Sequence, residues 1–333
     1  MRLRPIPEAQ CTLAIALILS LSLFGPPAAR ADRSAWEIVK YKGEDYVTTS
    51  SLQNFYRFQS YSSKGGNIFY RAPDLVMKAR NGSQDLLINN TKFVLSNPVV
   101  SSGGKYLVSR MDLCKLIDPV LRPSYIKQAS PFQTVIIDAG HGGIDTGSAG
   151  VYGNEKGHAL RLAKILKEEL EKRRFRVKMT RTGDQNISRA QRVAFANRVD
   201  NAIFVSLHFN NGGRSARGIE TYALSPQGAE STQHGPRTSD NAKYNGNRND
   251  SANIALATAI HASVIHRIKP IDRGIKRARW DVLTGINKPA ILFEGGFLTN
   301  PSEAKLIANY AHLQRLANSI ADGIVTYRKA LQK

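Results

Sequence analysis

Four residues with side chains suited to hydrolytic chemistry lie beside predicted strand ends or at a predicted helix start: His141, Glu155, His208 and Glu294. Two imidazoles and one carboxylate form a ligand set of catalytic zinc, which leaves a fourth coordination position for water. Such a site lowers the pKa of the water and polarises a carbonyl group. A nearby carboxylate that does not bind the metal can then take the water proton and deliver it to the leaving nitrogen. Glu294 suits this second role, because a carboxylate is rarely placed at the end of an apolar strand for packing.

Each of the four residues also has a purely structural explanation. His141 can pack beside the glycines of its loop, and His208 can be a core histidine whose hydrogen bonds are satisfied. Glu155 suits the first turn of a helix, where an acidic side chain interacts favourably with the helix dipole, and Glu294 can cap a helix. The placement of all four residues in one α/β domain favours a common catalytic site over four separate explanations.

The elements that must position these residues alternate between strands and helices from residue 132 onward. Sequence patterns predict strands at 134–138, 176–180, 202–207, 218–222 and 290–294, and helices at 157–173, 188–199, 251–268 and 302–331. This order predicts an α/β domain with a largely parallel sheet flanked by helices. Ligand sites in such sheets lie where strands open into loops. Residues 225–250 show no periodicity, and the hypothesis for this long loop is that it gates the cleft.

Three segments precede this domain. Residues 1–31 combine a basic start, an apolar stretch and a small-residue cleavage site, which predict a secretory signal peptide, with an uncleaved anchor as the alternative. Residues 32–122 show short β-segments, turn signals and two short helical stretches, which predict a small α+β domain acting as a binding or spacer module. Residues 123–131 are interpreted as a linker to the catalytic domain at 132–333.

Composition restricts the partners and the compartment. The formal net charge is +21 at pH 7, which indicates either a polyanionic partner or surface, or general solubility. For a protein exported to the periplasm, the cell wall or the medium, anionic cell-envelope polymers are better partners than nucleic acid. No transmembrane segment is expected in the mature chain. Cys114 is the only cysteine after the signal, so no internal disulfide is expected, and we predict that this cysteine is buried.

Seven segments match the motifs of one known family in order and spacing. They are residues 137–147 (IDAGHGGIDTG), 153–156 (GNEK), Thr180-Arg181, Arg192 with Ala196-Asn197, 206–210 (SLHFN), 274–278 (GIKRA) and 293–300 (FEGGFLTN). Over residues 132–330 the chain thereby resembles the zinc-dependent N-acetylmuramoyl-L-alanine amidases of the type 3 family. The resemblance implies one zinc ion held by His141, Glu155 and His208, with Glu294 as catalytic acid/base. It also implies peptidoglycan as substrate, cleaved at the amide between the lactyl group of N-acetylmuramic acid and L-alanine of the stem peptide.

We predict that three residues within the matched segments contact the substrate: Asn210, Lys276 and Arg277. The alternative functions are a zinc peptidase or amidase that acts on another cell-wall bond, and a non-catalytic wall-binding regulator. The pattern of residues 32–122 resembles the copper amine oxidase N-terminal-like domain. That segment contains no histidine, so no copper cluster is expected in it.

Overall fold

The computed structural model describes residues 36–127 and 131–332. The predicted signal peptide lies outside the described residues, as do residues 128–130 of the predicted linker. Within the described ranges, every helix is too short or too polar to cross a bilayer.

The N-terminal part of the chain consists mainly of short antiparallel strands. They are β1 (Ile38–Tyr41), β2 (Glu44–Thr48), β3 (Ser60–Lys64), β4 (Asn67–Ala72), β5 (Leu75–Arg80), β6 (Asp85–Ile88), β7 (Thr91–Val94), β8 (Val100–Ser102) and β9 (Lys105–Ser109). Strands β1, β2, β9 and β8 form a four-stranded sheet, and β3 to β7 form a meander. Helix α1 (Thr49–Tyr56) begins at the N-cap Thr48, whose hydroxyl accepts a hydrogen bond from the backbone N–H of Ser51. A helical segment follows β9 in three parts, Arg110–Asp112, Leu113–Ile117 and Asp118–Leu121.

The catalytic part of the chain is built on a mixed sheet. Its strands are β10 (Thr134–Ala139), β13 (Arg176–Met179), β14 (Ala202–Asn210), β15 (Ile219–Leu224), β16 (Asp272–Ala278) and β17 (Ala290–Phe297), while β11 (Ala149–Gly150) and β12 (Gly153–Asn154) form a separate small hairpin. The order is β13-β10-β14-β17-β15-β16, and all pairs are parallel except β15 with β17. The prediction of a largely parallel sheet in an α/β domain is confirmed.

Helices cover both faces of this sheet. They are α2 (Glu155–Lys172), α3 (Arg189–Asn197), α4 (Asp250–Ile268), α5 (Asp281–Thr284), α6 (Pro301–Ala308) and α7 (Tyr310–Ala330), with short 3₁₀ helices at Pro123–Tyr125, Thr238–Asn241 and Asn245–Asn249. Helices α2, α4 and α7 pack on one face and form the larger core with side chains such as Val205 and Phe293. Helices α3 and α5 pack on the other face, where Phe204 and Leu292 belong to a smaller core. We call this second face the cleft face.

The N-terminal strands continue the catalytic sheet. Strand β7 pairs with β16 in parallel through Phe93 and Ile275, so that β3 to β7 and the catalytic strands form one sheet of eleven strands. The backbone N–H of Lys92 also donates to the Asp272 carboxylate over 2.9 Å. The predicted linker at residues 123–131 therefore does not divide the sheet.

One buried ion pair reinforces this junction between the N-terminal and catalytic parts. The Arg277 guanidinium donates to the Asp112 carboxylate, and the side chains of both residues are almost completely buried. Asp112 also accepts hydrogen bonds from the backbone N–H groups of Ser96 and Asn97. Because an uncompensated buried charge is costly, we infer that this ion pair fixes the two parts in one arrangement.

Three local predictions need correction. Cys114 is exposed rather than buried, because it points outward from the helical segment that follows β9. The helix predicted at 302–331 is two helices, since Asn309 adopts an extended conformation and its side chain caps α7. The strand β16 was not predicted, because its sequence, DRGIKRA, has the composition of a basic surface cluster.

Candidate metal centre

His141 lies in the loop that follows β10, in a backbone conformation unusual for a residue with a side chain. Its φ angle is 59°, in the left-handed region that favours glycine. Two buried arginines hold this loop by donating to its carbonyl groups. Arg192 donates to the oxygens of Ala139 and His141, each over 2.7 Å, and Arg181 donates to those of Ala139 and Gly140 over 2.9 and 2.7 Å. Their hydrogen bonds hold the strained turn in place, as expected where strain serves a site.

Glu155 is the first residue of α2, and this places its carboxylate beside the His141 loop. The side chain of Asn154 caps the helix by accepting a hydrogen bond from the backbone N–H of Gly157. One oxygen of Glu155, Oε2, accepts from the N–H of Ser148 over 2.9 Å. The other, Oε1, points towards the two histidine rings. The helix start therefore orients the carboxylate so that Oε2 is hydrogen-bonded to the loop and Oε1 faces the two histidine rings.

The donor atoms of His141, Glu155 and His208 all lie within 4.8 Å of one another. Glu155 Oε1 is 3.0 Å from His141 Nε2 and 2.8 Å from His208 Nδ1. His208 is carried by β14, and the two imidazole rings are nearly perpendicular, with centroids 4.9 Å apart. The structure thus brings together the three residues that were predicted from the sequence as metal ligands.

Two glycines form a cradle that leaves room for these ligands. A Cβ atom on Gly140 would lie 2.4 to 2.7 Å from three atoms of the His208 ring. A Cβ atom on Gly147 would lie 2.6 Å from both the Glu155 carboxylate and the His141 ring, and Gly147 has a positive φ. The two nitrogen donors and one oxygen donor match the ligand preferences of zinc. The residues present therefore fit a zinc ion.

The charges of the cluster also suit a cation. Burial alone would raise the pKa of Glu155. The hydrogen bonds and charges of His141 and His208 outweigh burial and hold this pKa well below its usual range. Burial opposes a charge on His141, but Glu155 and Asp145 outweigh this effect and raise the pKa of the imidazole. Glu155 is consequently a buried anion, and a negative charge at this position suits a site for a cation.

Glu294 lies next to the cluster, on the adjacent strand β17. It pairs in register with His208 on one side and with Glu220 on the other. The side chain is only 8% exposed, and its Oε2 atom has no hydrogen-bond partner among the described residues. Burial, followed by the charges of Glu155 and Glu220, raises the pKa of Glu294 well above its usual value. Burial and a raised pKa are the properties expected of a carboxyl group that acts as a general acid/base.

An open cleft of about 1040 Å³ gives access to the cluster from the cleft face of the sheet. Besides the four chemical residues, it is lined by Asn210, Arg189, Trp280 and His234. His234 belongs to the long 225–250 loop, which therefore contributes to the wall of the cleft. That this loop gates access to the cleft stays a prediction.

The three predicted substrate contacts have different positions. Asn210 ends β14 and lines the cleft. Lys276 lies on the cleft face of β16, where its Nζ atom is 3.0 Å from the Glu220 carboxylate. The structure does not bring Arg277 to the cleft. Successive residues of a strand point to opposite faces, and Arg277 is buried on the other side of β16 against Asp112.

Asp145 is a residue of the centre to which the sequence analysis assigned no role. One of its carboxylate oxygens lies 2.8 Å from His141 Nδ1, the ring nitrogen that faces away from Glu155. Metal-binding histidines usually donate their second N–H group to such a carboxylate, which fixes the tautomer and the ring orientation. The signal was available in the sequence, because Asp145 follows His141 by four residues across a glycine-rich loop.

Replacing Asp145 with alanine is expected to weaken zinc binding by about 10- to 100-fold, because the His141 ring loses the partner that orients it. Competitive titration with a chromophoric zinc chelator measures this affinity. Asp281→Ala is the matched control, since Asp281 is a similarly exposed carboxylate on the cleft wall that contacts Arg189 instead of a ligand. Equal zinc affinities for the two variants would contradict the orienting role.

Comparison with known proteins identifies the family of the chain. The family model described as N-acetylmuramoyl-L-alanine amidase matches residues 135–326. The N-acetylmuramoyl-L-alanine amidase AmiA of Salmonella typhimurium is 30% identical over 260 residues, which cover 68% of this chain and 86% of that protein.

Two solved structures of amidases are also similar. The catalytic domain of CwlV from Bacillus (Paenibacillus) polymyxa has 29% identity and a TM-score of 0.50, and the match covers 60% of this chain and 99% of that structure. AmiC2 of Nostoc punctiforme has 27% identity and a TM-score of 0.50, with the same two coverages. Since the family model matches more than half of its length, the chain belongs to the N-acetylmuramoyl-L-alanine amidase family.

Proposed function

We propose that this enzyme is exported and hydrolyses peptidoglycan at the amide that joins the lactyl group of N-acetylmuramic acid to L-alanine of the stem peptide. The observation that carries the proposal is the carboxyl group of Glu294, which is buried at the bottom of the cleft, in register with His208. The Oε2 atom of this carboxyl group has no hydrogen-bond partner in the part of the chain that the structure describes. The family to which the chain belongs supports the choice of substrate and bond.

The metal ligands in this proposal are His141, Glu155 and His208, whose donor atoms already lie close together. A zinc ion, when bound, supplies a Lewis acid that polarises the scissile carbonyl and lowers the pKa of water. Asp145 orients the His141 ring. The donors come from a loop, a helix start and a strand, so the fold of the domain sets their relative positions.

Glu294 moves the proton that the reaction requires. Its carboxylate accepts a proton from the attacking water as the new carbon–oxygen bond forms. It then donates this proton to the nitrogen of L-alanine as the carbon–nitrogen bond breaks, which releases a lactyl carboxylic acid and a free amine. The raised pKa of Glu294 supports this role, because a carboxylate with a raised pKa is a stronger base towards the attacking water.

Location follows from the N-terminal sequence and the charge. We propose export through the signal peptide at residues 1–31, with action in the periplasm or the cell wall. The net charge of +21 supports binding to the anionic envelope. Residues 32–122 are proposed to form a binding module, and the sheet that they share with the catalytic part supports a fixed position for it.

Digestion of purified muropeptides, followed by mass spectrometry, tests the proposed bond. We expect intact glycan chains and free stem peptides that begin with L-alanine. Cleavage within the stem peptide would instead support the alternative of a zinc peptidase on another cell-wall bond. Cleavage within the glycan would contradict both functions.

A further inference from the structure

A shallow basic depression lies on the exposed face of β3 to β5, several strands distant from the cleft. It has a volume of about 370 Å³ and is lined by Ser60, Ser62, Phe69, Arg71 and Lys78, among others. The Phe69 side chain is 43% exposed, so its ring is accessible to a ligand. The depression therefore combines hydroxyl groups, two cations and an apolar platform.

The charges on this face are mostly positive and uncompensated. Arg71, Lys78 and Arg80 make no ion pair with any residue in the described ranges. Asp85, an acidic residue on the same face, is already paired with Lys92 over 2.8 Å. An anionic ligand is consequently the complementary partner.

The basic depression lies in line with other side chains of the sheet. The register pairs Ser62 with Phe69, Phe69 with Lys78, Lys78 with Leu87 and Leu87 with Lys92. Residues paired in register point to the same face of a sheet. These five side chains therefore form one row that runs across β3 to β7.

This row is continuous with the cleft face of the catalytic sheet. Phe93 pairs with Ile275, and both side chains enter the larger core on the opposite face. Their neighbours Lys92 and Lys276 therefore point to the cleft face. Lys276 is paired in register with Tyr222, which belongs to the smaller core beneath the cleft.

A single ligand that occupies both the cleft and the basic depression must be long. Six steps between neighbouring strands lead from β17, which carries Glu294, to β4, which carries Phe69. At about 4.8 Å per step, this distance is roughly 29 Å. A fully extended peptide of five residues spans about 18 Å at most. A single stem peptide bound at Glu294 therefore cannot reach Phe69, whereas a polymer can.

We propose that this basic face binds the stem-peptide carboxylates of a polymeric peptidoglycan strand while a distant unit of the same strand is cleaved in the cleft. Arg71 and Lys78 pair with the carboxylates, and Phe69 packs against a sugar ring. This inference rests on the proposed function for the identity of the polymer. It makes the N-terminal strands a substrate-binding surface for long substrates.

The test compares two double variants of the full chain, both in the Glu294→Gln background with zinc added, so that the polymer is not degraded. Arg71→Gln/Lys78→Gln removes two cations of the depression. Lys164→Gln/Lys305→Gln removes two exposed cations from α2 and α6, which likewise lack an ion pair in the described chain. The measurement is co-sedimentation with purified sacculi that have been stripped of other polymers.

We expect Arg71→Gln/Lys78→Gln to weaken binding to sacculi by about five- to tenfold, which is the effect of losing two exposed ion pairs. We expect Lys164→Gln/Lys305→Gln to have little effect. Chemical amidation of the sacculus carboxyl groups should abolish this difference. Equal binding of the two double variants would overturn the proposal, and so would a difference that survives amidation.

Activity measurements separate this proposal from the proposed function. In chains that retain Glu294, Arg71→Gln/Lys78→Gln should slow digestion of sacculi and leave the turnover of a soluble muropeptide with one sugar unchanged. An equal loss on both substrates would overturn the long-substrate role. If the unaltered enzyme cleaves neither substrate but still binds sacculi through Arg71 and Lys78, the proposed function fails and the binding surface stands.

Discussion

Replacing Glu294 with glutamine is expected to lower kcat by about 10²- to 10⁴-fold while leaving one zinc ion bound per chain. This range is the usual contribution of a positioned general acid/base. Glutamine keeps the shape of the side chain but cannot accept and return a proton. The expected result is therefore a folded, metal-loaded and inactive enzyme.

The structure explains why this substitution should not disturb folding. The Oε2 atom of Glu294 has no hydrogen-bond partner among the described residues, so no internal hydrogen bond through that atom is lost. Burial of a carboxylate without a partner is unfavourable, and a neutral amide removes that cost. We expect the melting temperature of Glu294→Gln to equal or exceed that of the unaltered enzyme.

Glu303→Gln is the matched control for this experiment. Burial also raises the pKa of Glu303, but its carboxylate accepts hydrogen bonds from the backbone N–H groups of Gly218 and Phe297. It does not line the cleft. We expect its kcat to stay close to that of the unaltered enzyme. Measurable zinc loss in Glu294→Gln, or activity within a few-fold of normal, would contradict the assigned role.

Replacing Glu155 with glutamine is expected to remove both zinc and activity. The carboxylate is 3% exposed, and its two oxygens already face His141, His208 and the N–H of Ser148. An amide has no negative charge to bind a metal ion, and two histidines alone hold zinc weakly. We expect zinc content after dialysis to fall from one ion per chain to nearly none, with a loss of activity above about 10³-fold.

Glu169→Gln tests whether this effect is specific to the centre. Glu169 is a second buried carboxylate of α2, where it pairs with Lys172 and Arg173. Its replacement should lower stability and leave both zinc content and kcat unchanged. Metal analysis by mass spectrometry and a muropeptide assay measure the two quantities. If Glu155→Gln retained a full zinc ion, the assignment of Glu155 as a ligand would fail.

Most strands of the catalytic part, and the proximity of His141, His208 and Glu294, could be predicted because their signals are local. An apolar β-branched run such as residues 134–138 indicates a buried strand, and glycines that follow it indicate a loop. The ends of such strands collect at one edge of the sheet. This rule placed His141, His208 and Glu294 near one another without knowledge of the fold.

The supports of the centre could not be predicted from such signals. Arg181 and Arg192 act mainly on backbone carbonyl groups of the His141 loop. Every residue offers a carbonyl oxygen, so no side-chain type in the sequence marks these acceptors. The left-handed conformation of His141 was hidden for the same reason, because it is imposed by its surroundings.

The strand at residues 272–278 could not be predicted from local pattern. The sequence DRGIKRA lacks an apolar run, which is the usual signal of a buried strand. In the structure Lys276 and Arg277 point to opposite faces, and a carboxylate neutralises each one. Because Asp112 is distant in sequence, its pairing with Arg277 could be recognised only after folding.

The strand pairing between β7 and β16 has a consequence for any attempt to isolate the catalytic part. A fragment that begins near residue 132 would lose the strand that covers β16, and unpaired backbone groups at a sheet edge promote aggregation. It would also leave the Arg277 guanidinium without the carboxylate of Asp112. The N-terminal strands thus cover the edge of the catalytic sheet, and we expect a fragment without them to aggregate more readily than the full chain.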